Sequence, residues 1–117
     1  MEKRALLGGG EVIIATADTI IGKRVVRTLG LVKGNTVRAT HIGHDFAAWL
    51  RNLVGGEVND YTKLLAEARE QSLDRMIEDA NRMGANAIVA CRFSTCEMMR
   101  GAAEIIAYGT AVVVEEE

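Results

Sequence analysis

The sequence predicts an α+β fold, an antiparallel sheet packed against one long and one short helix. Three observations lead there. β-Branched runs cluster early and late in the chain, joined by hairpin-type connections rather than helical crossovers. Helical periodicity is confined to residues 45–83. After Gly84 the apolar period drops from helical to two. A chain of 117 residues, 49% hydrophobic and 26% charged, suits one compact domain. Residues 11–117 are read as that domain and residues 1–10 as a flexible lead-in, because three consecutive glycines (Gly8, Gly9, Gly10) carry the largest entropy cost of ordering.

The elements follow in order. Val12-Ile13-Ile14-Ala15-Thr16 is a β-branched run, and Asp18-Thr19-Ile20-Ile21-Gly22 after it has turn chemistry. Between Lys23 and Thr40, Val25, Val26, Thr28, Val32, Thr36 and Val37 predict two strands joined by a turn at Gly34-Asn35, with Gly30 as a bulge. Asp45 opens a short amphipathic helix carrying Phe46, Trp49, Leu50 and Leu53, which Gly55-Gly56 stops. Asn59 or Asp60 caps a longer helix that runs to about Met83 and ends at Gly84. Ala87–Phe93 and Ala103–Val114 read as strands, with Met98-Met99-Arg100-Gly101 as their hairpin connection and Glu115-Glu116-Glu117 as a solvated tail.

Composition excludes several classes. Fourteen basic against sixteen acidic residues give a formal charge of -2, with no nucleic-acid footprint and no polybasic membrane anchor. No apolar run approaches the roughly 20 residues that span a bilayer. The first residues lack the apolar core of a signal peptide, which predicts a cytoplasmic protein with Cys91 and Cys96 reduced. The chain has no proline and only five aromatics. A small, surface-heavy domain short of aromatic bulk is expected to bury area against copies of itself.

On a helical wheel, Tyr61, Leu64, Leu65, Ala68, Leu73, Met76, Ile77, Ala80 and Met83 share one broad arc opposite Lys63, Glu67, Glu70, Asp74 and Glu78. Arg69 falls inside the apolar arc, about 20° from Met76 at 100° per residue. A guanidinium there calls for a carboxylate, carbonyls or a subunit boundary, and Asp45 and Glu104 are the candidate partners.

Four groups have metal-ligand chemistry: His41, His44, Cys91 and Cys96, with Met98 and Met99 as thioethers nearby. Cys91 and Cys96 are five apart, so on a straight strand they face opposite sides, and Cys91 is expected to pack as a small apolar residue. Cys96 with Met98 on one strand face is the more promising pair; a ring of such pairs around a symmetry axis would hold a soft ion. No nucleophile elbow, no Cys-His arrangement and no phosphate loop stands out, so no catalytic residue is assigned and an enzyme is not expected.

His44-Asp45-Phe46-Ala47-Ala48, Leu53-Val54-Gly55-Gly56 with Asp60-Tyr61, Ala68-Arg69-Glu70, Met83-Gly84-Ala85-Asn86-Ala87-Ile88-Val89 and Tyr108-Gly109-Thr110-Ala111-Val112 occur in one order across Val12–Val114. On these residues the chain resembles the YbjQ-like family of small bacterial and archaeal proteins labelled heavy-metal-binding. The resemblance implies an α+β, dodecin-subunit-like subunit assembled as a homopentamer, with Asp45, Tyr61 and Arg69 at motif positions. Cys91, Cys96, His41 and His44 are not part of that motif, so ligation through them is not inherited.

The reading that follows is a non-enzymatic oligomeric binding protein, taking a divalent or soft metal ion. Its candidate inter-subunit or ligand-binding residues are Asp45, Tyr61, Arg69 and Glu104, and its candidate metal ligands Cys96, Met98 and His44. Two alternatives stand beside it. One is a small-molecule-binding or hydrolytic enzyme with an inter-subunit site using Arg69 and Asp45. The other is a purely structural or partner-binding oligomer.

Overall fold

The computed structural model describes residues 2–6, 11–39, 58–99 and 102–117. Their elements are β1 (Glu2–Leu6), β2 (Glu11–Ala15), β3 (Lys23–Ala39), α1 (Val58–Met83), β4 (Ala87–Met99) and β5 (Ala102–Glu116). The short helix expected from Asp45 lies outside the described residues. The strands form one five-stranded sheet in the order β1-β2-β4-β5-β3. Within the lead-in, Glu2–Leu6 therefore contribute an edge strand, paired antiparallel to β2 from Glu2↔Ala15 to Leu6↔Glu11.

The sheet is mixed, which corrects the expectation of an antiparallel one. β2 and β4 run parallel through Ile13↔Ala87 and Ile14↔Ile88, and the Ile13 amide donates to Asn86 O at 3.1 Å. The other pairs among the described residues are antiparallel. The chain leaves β2, builds β3 and α1, and returns beside β2, a crossover that local alternation does not encode.

A second correction concerns Lys23–Ala39, which is a single 17-residue strand and not two strands with a turn. It pairs with β5 throughout, with irregularities at Val25/Arg27 and Thr28/Gly30. Gly30, at φ +128°, sits beside the second of these as the expected bulge glycine. Gly34 has no positive φ. It is glycine for a different reason: a Cβ built there would lie 2.3 Å from Ser72 O and 2.4 Å from Met76 N, so the bare backbone lets α1 settle against β3.

Helix α1 ends as its sequence predicts. Gly84 takes φ +85°, its amide donates to Asn81 O at 3.0 Å, and Ala85 N donates to Ala80 O at 3.1 Å, a Schellman closure that satisfies the last carbonyls. The predicted turn after β2 is present, with Gly22 at φ +82° and Lys23 N donating to Ile20 O at 3.1 Å. The acidic tail is mostly strand: Glu115 and Glu116 extend β5 and pair with Arg24 and Lys23.

β5 separates two cores. Ala107 and Ala111 face α1 with Val12, Val32, Leu73, Met76, Ile77, Ala80 and Ile88. Val112 and Val114 face the other way, against Ile13, Ala15, Ala87 and Val89, under Ile20 from the turn after β2. Among the described residues no aromatic side chain belongs to either cluster. Phe93 and Tyr108, the aromatic side chains among the described residues, are 43% and 38% exposed.

Candidate functional site

The candidate residues are placed by the β4–β5 hairpin and by α1. Register sets Cys96 directly opposite Glu104, and Glu104 opposite Val37 of β3. Paired residues project to the same side, so these three form one row on the face away from α1. The Asn35 side-chain amide donates to Glu104 Oε2 at 3.1 Å. Cys96 is exposed, with its thiol 3.6 Å from Glu97 O. Met98 lies two residues on at the Glu97/Met99 irregularity and is 57% exposed. A thiol, a carboxylate and a thioether thus stand on one hairpin, the first two on neighbouring strands. Among the described residues no three His, Cys, Asp or Glu side chains converge on one point.

Cys91 takes the opposite role. It is 4% exposed and packs in the core beneath α1. Burial raises its thiol above the usual range, against a smaller lowering by Arg92. Burial disfavours the thiolate, and the thiolate is the reactive form. Iodoacetamide at pH 8 is expected to label one thiol per native chain, at Cys96, and two after unfolding. Rapid labelling of both in the native protein contradicts this placement.

Arg69 departs from its sequence reading. The helical arc does include it, but its side chain is exposed and makes no ion pair or hydrogen bond among the described residues. Arg69 lies between Ala68, Ser72, Leu73 and Met76, all buried, so its side chain leaves a covered stretch of the helix for solvent. Glu104 is not its partner, because Ile105 faces α1 and Glu104 the opposite side of the sheet. Tyr61 lies in the first turns of α1 with its side chain outside the described residues, and Asp45, His41 and His44 lie outside them too. The polar flank of α1 borders a groove of ≈ 470 Å³ lined by Lys63, Glu67, Glu70 and Asp74 with Ala66 and Gln71; Arg69 does not line it.

Sequence reasoning missed the partnership of Cys96 with Glu104, which needs the hairpin register. It also missed the row Lys33, Tyr108, Arg92 further along the same face. Alternation in β5 already put Glu104 and Tyr108 on one side, and that was the available signal.

A family model described as "Putative heavy-metal-binding", YbjQ_1, matches residues 12–115. The chain belongs to this family. The YbjQ relatives include a UPF0145 protein of Methanosarcina acetivorans, 55% identical over 102 residues that cover 87% of this chain and 96% of that one. A UPF0145 protein of Pyrococcus furiosus is 52% identical over 107 residues, 92% of this chain and 94% of its own. The fold is similar to a solved structure from Pediococcus pentosaceus described as a protein with unknown function of the DUF74 family. That match has a TM-score of 0.61 at 11% identity, covering 87% of this chain and 96% of that one. Among the described residues no helix is long and apolar enough to cross a membrane.

Proposed function

We propose that this YbjQ-family chain is a non-enzymatic, cytoplasmic metal-binding protein that closes into a homopentamer and holds a soft or borderline divalent ion where subunits meet. The observation that carries this reading is the exposed Cys96 thiol set opposite Glu104 on neighbouring strands, with Met98 two residues on. Thiolate and thioether select soft ions, and a carboxylate completes a borderline set suited to zinc or cadmium. Zinc takes four ligands, so a second copy, or His44, must supply what one hairpin lacks.

Assembly is supported by the exposed edge. β3 is 17 residues long and lies at one end of the sheet, with Val25, Val26, Leu31 and Val37 40% exposed or more. A long edge strand of that kind invites another chain. A reducing compartment keeps Cys96 available as a thiolate ligand.

Equilibrium dialysis of the assembled protein against zinc, cadmium and copper, with mass measured by light scattering, tests both halves. Wild type is expected to bind stoichiometrically at the mass of five chains. Cys96→Ser is expected to weaken binding about 100-fold or more, beyond the 10–100-fold typical of losing an outer-shell partner. No stoichiometric metal, or a monomeric mass, contradicts the reading.

The exposed Arg69, without an ion pair among the described residues, favours one alternative, an inter-subunit small-molecule or hydrolytic site in which its guanidinium clamps an anion and Asp45 serves as acid or base. In that case Arg69→Ala abolishes ligand binding or turnover while leaving metal binding intact.

A further inference from the structure

About 13 Å along the same open sheet face from Cys96, four residues at strand rise, lies a constellation of different chemistry. Register sets Tyr108 directly between Lys33 of β3 and Arg92 of β4. Ala107 and Gly109 on either side are buried, so the tyrosine ring stands on the face away from α1, together with both cations. Tyr108 is 38% exposed. Its hydroxyl and the Lys33 ammonium have no partner among the described residues.

Arg92 is held in place. Its Nη1 donates to Thr16 O at 2.7 Å and to Cys91 O at 2.9 Å, and its other N–H groups have no partner among the described residues. Thr16 begins the turn that covers the neighbouring half of this face through Ile20. Arg92 therefore stands on the rim where that cover stops, and Tyr108 is the first open position beyond it. The next row outward is Asn35, Ile106 and Ser94.

We infer that this platform binds a nucleoside monophosphate, with the base stacked on Tyr108 and the phosphate held by Arg92 and Lys33. An uncharged apolar ligand would desolvate two cations without pairing them. A free inorganic anion would leave the aromatic surface unused. A longer nucleic-acid strand would run its phosphates toward Glu104, two rows away, on a chain of net charge -2. One planar ring carrying one anionic group matches one aromatic face flanked by a fixed guanidinium and a mobile ammonium. The site shares no residue with Cys96, Met98 or Glu104, so it stands apart from the metal reading.

Isothermal titration with adenosine monophosphate, adenosine and inorganic phosphate separates the contributions. Wild type is expected to bind the monophosphate saturably, about one per chain, more tightly than either fragment. Tyr108→Leu, which keeps strand-compatible bulk, is expected to weaken it by about tenfold or more, within the range of a lost base–aromatic stack. Lys33→Gln, at an exposed position, should weaken the monophosphate and leave adenosine unchanged, while Cys96→Ser should change neither. The inference is overturned by an absence of monophosphate binding, as when a second copy covers Tyr108. Unchanged affinity in Tyr108→Leu, inorganic phosphate binding as tightly as the nucleotide, or an oligonucleotide binding far more tightly overturns it equally.

Discussion

Gly34→Ala is expected to lower stability by about 3 kcal/mol, the upper end of the cost of overpacking a well-packed interior. The reason is what the added methyl meets. It would sit 2.3 Å from Ser72 O, 2.4 Å from Met76 N and 2.7 Å from Arg75 Cβ, so α1 must move as a body to admit it. Those neighbours are helix backbone, which does not swing aside as a flexible side chain does. Moving α1 also loosens Met76, Ile77 and Ala80, all fully buried. Gly22→Ala provides the contrast: its φ is +82° but nothing lies within 4 Å, so only the left-handed backbone penalty of about 1–2 kcal/mol applies. Thermal melts at matched chain concentration should show Gly34→Ala falling by about 10 °C and Gly22→Ala by roughly half that. Equal melting of Gly34→Ala and wild type would show that the helix does not approach the strand this closely.

The second large effect belongs to the polar contact beside that glycine. Ser72 and Thr36 are 0% and 2% exposed, the only buried polar side chains among the described residues. Ser72 Oγ lies 2.9 Å from Thr36 Oγ1 and 3.0 Å from both Ala68 O and Ile105 O. Its single proton goes to a carbonyl while the Thr36 hydroxyl donates to it. Ser72→Ala leaves Thr36 stranded between helix and sheet and is expected to cost about 2 kcal/mol, the desolvation penalty of an unmade hydrogen bond. Thr36→Val in that background removes the stranded group and should recover most of the loss, because replacing both partners by apolar groups can be nearly neutral. A denaturant double-mutant cycle measures this directly. Additive losses would mean the two hydroxyls act independently.

Both effects sit where the sequence reading was weakest, and for one reason. Gly34 next to Asn35 carries the local signature of a turn, and turn chemistry is what a single chain displays. A glycine kept bare so that a helix 38 residues away in sequence can touch it looks the same on paper. Ser72 carries no local signal either, because its partners Thr36 and Ile105 come from other elements. Arg69 shows the converse. Periodicity places it among buried α1 residues, yet its side chain reaches solvent.

Local patterning by itself determined the α+β class, the long helix with its Gly84 stop, the two C-terminal strands, the turn before Gly22 and the buried fate of Cys91. Each depends on the order of polar and apolar residues within a few turns or pleats, where backbone geometry allows few alternatives. Similar family motifs identified the YbjQ relationship. Tertiary structure alone decided the parallel pairing of β2 with β4, the continuity of β3, and which side chains share a row. It set Cys96 against Glu104 and Tyr108 between Lys33 and Arg92. Strand register and crossover direction arise from contacts between segments distant in sequence, and the free energy that selects them lies in the packed whole rather than in any one segment.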